Sequence, residues 1–197
     1  ANGDTSLVDQ ALKYHKYSLE TSIKDNNAKW QADAYNNIGN CCSQKGNIYE
    51  TEQKKHQKSE KYYAAAAGKC YSEAIENYTK SLELRQKISD KAGEASALNN
   101  IGGSYINLKK YETALEYFKK SLEINESLSI TSELSVNYYY MGKSYLAMKK
   151  FDMAIENYRK SLDLASGIGF NKVIMADYED LSDAYRETGN YKLAYEC

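Results

Sequence analysis

Apolar residues along this chain recur at spacings of three and four. Ile101, Tyr105 and Leu108 form one such row, Met141, Tyr145 and Met148 repeat it, and Leu181 and Tyr185 continue it. A second kind of row, Tyr111, Leu115, Phe118 and Leu122, returns as Phe151, Ile155, Tyr158 and Leu162. Such offsets put each set on one face of an α-helix. The pattern therefore predicts alternating helices of two kinds, A and B. No proline interrupts them, and the abundant Ala, Leu, Glu and Lys favour helix.

The rows belong to a longer repeat. The stretch from Tyr71 to Leu84 (YSEAIENYTKSLEL) recurs from Tyr111 to Ile124 (YETALEYFKKSLEI) and from Phe151 to Leu164 (FDMAIENYRKSLDL). A degenerate copy runs from Ala11 to Leu19, and a truncated one from Tyr191 to Tyr195. Small residues keep the same beat: Gly39, Gly102, Gly142 and Ser182 in helix A, and Ala74, Ala114, Ala154 and Ala194 in helix B. The spacing is 40 residues, except that Gly39 to Gly102 spans 63, so one unit carries 23 extra residues. A fixed period of this size predicts an all-α solenoid of antiparallel helix pairs. The expected organisation is one solenoid domain over residues 1–197. It comprises a partial repeat (1–24), a repeat (27–87) with an insertion at 47–69, repeats at 91–127 and 131–167, and a partial repeat at 171–197.

Glycine in mid-helix costs about 1 kcal/mol relative to alanine, so its return in one slot implies a packing need, here close approach of the paired helices. Ser81, Ser121 and Ser161 mark a second small slot, where helix B should meet the next helix A. Gly46-Asn47 and Gly189-Asn190 read as left-handed C-caps between helices A and B. Lys109-Lys110 and Lys149-Lys150 hold that slot in the middle repeats. Residues 25–27, 89–90, 129–132 and 167–171 read as turns between repeats.

Composition narrows the function. A net charge of −1 and a pI near 6.2 leave no basic footprint for nucleic acid. No apolar run is long enough to span a membrane, and no N-terminal segment has the form of a signal peptide. Cys41, Cys42, Cys70 and Cys197 lack zinc-site spacing, and read as inert packing thiols in a reducing, cytoplasmic compartment. The 20 tyrosines, against 3 Phe and 1 Trp, suit thin layers in which side chains are only partly enclosed. The two histidines, His15 and His56, stand by no nucleophile motif, and no phosphate-binding glycine loop is present. The expectation is a chain that is not an enzyme and uses neither cofactor nor metal. Two glycosylation sequons, at Asn77 and Asn125, fall in predicted helices and read as coincidence.

The run Asn99-Asn-Ile-Gly-Gly-Ser-Tyr105, with Tyr111, Ala114, Phe118 and Ser121, resembles the signature of the tetratricopeptide repeat. The family's usual repeat is about six residues shorter. The longer version resembles Leu-Gly-Asn repeat scaffolds, kinesin light chains and bacterial signalling proteins. The resemblance implies a right-handed superhelix whose A helices line a concave groove that binds a peptide or helix of a partner protein. Carried over slot by slot, the groove would comprise Asn36, Asn37, Asn40, Asn99, Asn100, Tyr139, Tyr140, Lys143, Glu179, Asp183 and Arg186. An asparagine both donates and accepts, so the amides could pair with an extended backbone. The slots run from amide-rich through aromatic to acidic, which suits a peptide with an apolar or aromatic centre and a basic end. Only Lys143 and Arg186 are basic there, against a clamp for a C-terminal carboxylate. The insertion reads as an elongated helix pair, or as a docking arm anchored by Tyr62 and Tyr63. The partial repeats at both ends lead us to expect a fragment of a longer protein, or self-association through uncapped ends. Alternative readings are a regulatory or sensory segment of a larger signalling protein, or a structural subunit of an assembly.

Overall fold

Helices dominate because nearly every apolar row above finds a neighbour of the same kind to pack on. The computed structural model describes residues 5–55 and 59–196; His56 and Cys197 lie outside the described residues. Among the described residues there are nine helices: α1 (Ser6–Lys24), α2 (Ala28–Lys55), α3 (Glu60–Lys87), α4 (Lys91–Asn107), α5 (Tyr111–Leu128), α6 (Thr131–Ala147), α7 (Phe151–Ile168), α8 (Asn171–Glu187) and α9 (Tyr191–Glu196). None is long and apolar enough to cross a membrane. The chain packs as two units, the first ending at Lys109 and the second beginning at Lys110. Within each, consecutive helices pack on one another.

The turns share one mechanism. A single residue at each adopts a left-handed backbone: Asn26, Ser89, Lys109, Ser129, Lys149, Gly169 and Gly189, with φ between 50 and 76°. The amide after it donates to the carbonyl five residues back, as in Asp90 to Arg85 (2.9 Å), Ile130 to Asn125 (3.1 Å), Lys150 to Tyr145 (2.9 Å) and Phe170 to Ala165 (2.8 Å). This closure satisfies carbonyls that the helix end would otherwise leave bare. Gly189 turns as the sequence predicts.

Gly46-Asn47 does not. Both residues lie inside α2, and Gly46 is needed for a different reason: a Cβ there would stand 2.4 Å from the ring of Tyr71. The same device recurs seven residues earlier, where a Cβ on Gly39 would meet Tyr78 at 2.6 Å, and in the second unit, where one on Gly142 would meet Tyr158 at 2.8 Å. The glycine slot thus seats a helix B tyrosine ring rather than bringing two bare backbones together. In the first unit the asparagine following each glycine receives the hydroxyl. Tyr78 donates to Asn40 Oδ1 and Tyr71 to Asn47 Oδ1, both at 2.8 Å. With Gly46 inside the helix, the insertion lengthens α2 and α3 to 28 residues each, against 17 in α4 and 18 in α5.

The second small slot ties helix B to two A helices. Ser81 donates to the Ala32 carbonyl of α2 at 2.8 Å. Ser161 lies 2.9 Å from the Ser135 carbonyl of α6 and 2.7 Å from Asp177 Oδ2 of α8. At the α3–α4 turn, Arg85 pairs with Asp33 (2.7 Å) and with Asp90, whose other oxygen caps α4 by accepting from the Gly93 amide at 3.0 Å. That amide bond above all, with the guanidinium beside it, holds the Asp90 carboxyl below its usual range. Cys41, Cys42 and Cys70 are buried and free, and burial pushes their thiols up, that of Cys42 to about 11.

Candidate functional site

The A-helix positions fall into two sets, one per unit. In the first, α2 carries Asn36, Asn37 and Asn40 and α4 carries Asn99 and Asn100. The amides are largely occupied within the protein. Asn100 Nδ2 donates to Asn36 Oδ1 at 2.9 Å, linking α4 to α2, and Asn40 accepts from Tyr78. Asn99 is 8% exposed, whereas Asn36, Asn37 and Asn100 are half-buried. Among the described residues, Asn36 Nδ2 and the Asn100 side-chain oxygen have no further partner.

In the second unit, α6 carries Tyr139, Tyr140 and Lys143, and α8 carries Glu179, Asp183 and Arg186. Tyr140 is half-buried and stacks on Phe118, with centroids 5.5 Å apart and planes within 7°. Tyr139 meets Tyr140 edge-on at 5.2 Å and lies under the Lys143 ammonium at 5.7 Å. Lys143, Glu179, Asp183 and Arg186 are exposed, and Arg186 pairs with Asp183 at 3.1 Å. The structure brings the last three together. They line a hollow of about 590 Å³ with Met175, Tyr178 and Ser182. Asp183 and Arg186 also border a second hollow of about 450 Å³ with Leu146, Ala147, Lys149, Phe151 and Glu187.

Two further acids of α8 accompany this face, Asp180, which the family's groove pattern also includes, and Asp177, which it does not. Asp180 is half-buried behind Tyr139; burial raises its carboxyl, opposed by Lys143 and the neighbouring tyrosine hydroxyls. Asp177 is 0% exposed, and burial pushes it up to about 7 against the hydrogen bond from Ser161. Among the described residues, Asp177 Oδ1 is buried without a hydrogen-bond partner. A signal for Asp177 was present in the repeat register, where it stands under Asn137, an acid replacing an amide.

The arm divides its tyrosines. Tyr62 is 65% exposed, while Tyr63 is buried, 6.3 Å from Tyr49 and edge-on to Tyr62 at 5.3 Å. Only Tyr62 is displayed for contact. Among the described residues no cluster of His, Cys, Asp and Glu could hold a metal ion.

Residues 64–127 and residues 137–167 each match a tetratricopeptide repeat family profile. No curated protein sequence matches the chain significantly. Among solved structures, the chain resembles BtubC (BKLC) from P. vanneervenii with 14% identity and a TM-score of 0.61, over 96% of this chain and 87% of that one. A putative kinesin light chain from Podosopora anserina with nearly identical repeats gives 13% identity and a TM-score of 0.63, over 96% and 82%. A signal transduction ATPase with numerous domains and a tetratricopeptide repeat sensor, from Pyrococcus horikoshii, gives 21% and 0.59, over 86% of this chain and 30% of that one. At these identities the likeness concerns the fold. Repeated helix pairs, small-residue slots that seat the neighbouring helix and two profile matches agree: residues 64–127 and 137–167 are tetratricopeptide repeats, set in a chain with the fold of that family.

Proposed function

We propose that this chain is a non-catalytic, cytoplasmic adaptor that holds a peptide or helix of a partner protein against its A helices. The observation that carries the reading is the exposed row Glu179, Asp183 and Arg186 on α8, lining a hollow together with the exposed Met175 and Tyr178. Exposed apolar side chains beside acidic ones fit a segment with an aromatic or aliphatic centre and a basic end. The unused amide functions of Asn36 and Asn100 offer the first unit backbone contacts of the same kind. Neither nucleic acid nor membrane enters this reading, given the net charge of −1.

The test is a display of random peptides against the wild type and a Glu179→Lys, Asp183→Lys variant. Selection of peptides with an aromatic core and Lys or Arg at one end, lost or inverted in the variant, supports the reading. Equal selection by both proteins, or peptides with no such bias, removes the α8 face from recognition.

The likeness to the sensor-bearing ATPase favours a second reading, in which this solenoid is the sensory or regulatory segment of a larger signalling protein. In a structural role, contact would instead pass through Tyr62 on the arm or through the ends. Light scattering across a concentration series separates that role from a monomeric adaptor.

A further inference from the structure

Ser161, Ser135 and Asp177 present one hydroxyl proton to two acceptors. The Ser161 hydroxyl lies 2.9 Å from the Ser135 carbonyl and 2.7 Å from Asp177 Oδ2, and it can donate to only one of them. Asp177 Oδ1 has no hydrogen-bond partner among the described residues, and the residue is 0% exposed. One repeat earlier the slot is built differently. Asn137 accepts from Asn125 Nδ2 at 2.8 Å, whereas the position matching Asn125 beside Asp177 is Ala165, which has nothing to donate. An ionised Asp177 would therefore be a buried charge with one hydrogen bond. A neutral one completes the chain: its O–H donates to Ser161 Oγ, and the Ser161 O–H donates to the Ser135 carbonyl.

We infer that Asp177 is protonated in the folded protein and that this proton fastens α8 to α6 and α7, so that α8 loosens as the solution moves from acid toward neutral pH. The groups facing the site are Asp180 on α8 itself, Tyr139 from α6 and Tyr158 from α7. Lys143 on α6 acts on Asp180. Among the described residues no charged group of α9 acts on Asp177. The nearest titrating neighbour is thus a second acid, which favours the neutral form further.

The sign follows from linkage. The folded carboxyl is raised above its ordinary value of 3.8, so its contribution is complete below that value, declines as pH rises and is gone once the folded group ionises near 7. The loss amounts to about tenfold in the opening equilibrium per pH unit over that window. Because α8 also carries Glu179, Asp183 and Arg186, the same proton would hold the proposed binding row in place.

Hydrogen exchange of α8 amides, corrected for intrinsic rates, is measured from pH 4.5 to 7.5 in the wild type and in Asp177→Asn. Wild-type opening should rise with pH by at least a hundredfold more than in the variant, and by pH 7.5 the variant should be the better protected. Carbon NMR titration of the Asp177 carboxyl in the wild type gives an independent readout, expected well above the ordinary aspartate value of 3.8. A constant difference between the two proteins across pH, or an Asp177 titration in the ordinary aspartate range, overturns the inference.

Discussion

Two helical glycines, Gly103 on α4 and Gly142 on α6, should respond to alanine with opposite signs. Each sits within a helix, so alanine at either position gains about 1 kcal/mol of helix propensity. At Gly103 a new Cβ meets nothing within 4 Å, and that gain should be realised. At Gly142 the Cβ would lie 2.8 Å from two carbons of the Tyr158 ring and 3.1 Å from a third. Carbon atoms rest at about 3.5–4.0 Å, so the ring would have to retreat by about 1 Å. Tyr158 is 0% exposed, so any retreat of the ring must displace packed neighbours. Overpacking of this kind costs about 1–3 kcal/mol. Taking the upper half of that range for a fully buried ring, Gly142→Ala should lose about 1–2 kcal/mol net and Gly103→Ala should gain up to about 1 kcal/mol. Urea titrations followed by circular dichroism would read the gap as a difference in midpoint at equal slope. Repeating Gly142→Ala in a Tyr158→Ala background should turn the loss into a gain, since the clash partner is gone. A Gly142→Ala midpoint at or above that of the wild type would refute the reasoning that this glycine exists to seat a ring.

Other consequences are as direct. Tyr78→Phe removes the donor to Asn40 and should cost about 1 kcal/mol, measured by the same titration. Lys149→Gly relieves a left-handed side-chain residue and should raise the thermal midpoint, by about 0.5–1 kcal/mol in stability. Cys41, Cys42 and Cys70 should resist iodoacetamide at pH 8 in the native state and react on addition of urea, because burial disfavours their thiolates. Mass spectrometry of quenched samples gives the rates for each site.

The repeat register made the helices and most turns legible before any coordinates. Ser89, Ser129 and Gly169 recur 40 residues apart, as do Lys109, Lys149 and Gly189, and each group closes its turn in the same way. Gly46-Asn47 failed because a Gly-Asn pair signals a turn only when no distant side chain claims the glycine. Here Tyr71, 25 residues on, requires it inside a helix. The asparagines of α2 and α4 show the same limit. Their spacing is visible in the sequence, but the bonds to Tyr78 and between Asn36 and Asn100 join residues 38 and 64 apart, and local pattern carries no trace of them. The acid at 177 was visible as a substitution within the repeat; its burial and its bond to Ser161, 16 residues earlier, arise only when α7 and α8 pack together.

The extra length of α2 and α3 has a further meaning. Relative to the 17 residues of α4 and the 18 of α5, the two 28-residue helices gain 11 and 10 residues, close to three full turns at about 3.6 residues per turn. Growth by whole turns leaves the angular phase of each helix unchanged, so the seams with α1 and α4 need no re-registration. The added hairpin behaves as a cassette. Loss or gain of three turns in both helices together is phase-neutral, whereas removing two residues from one alone would swing its apolar stripe by about 200° and unseat the tyrosines from their glycines.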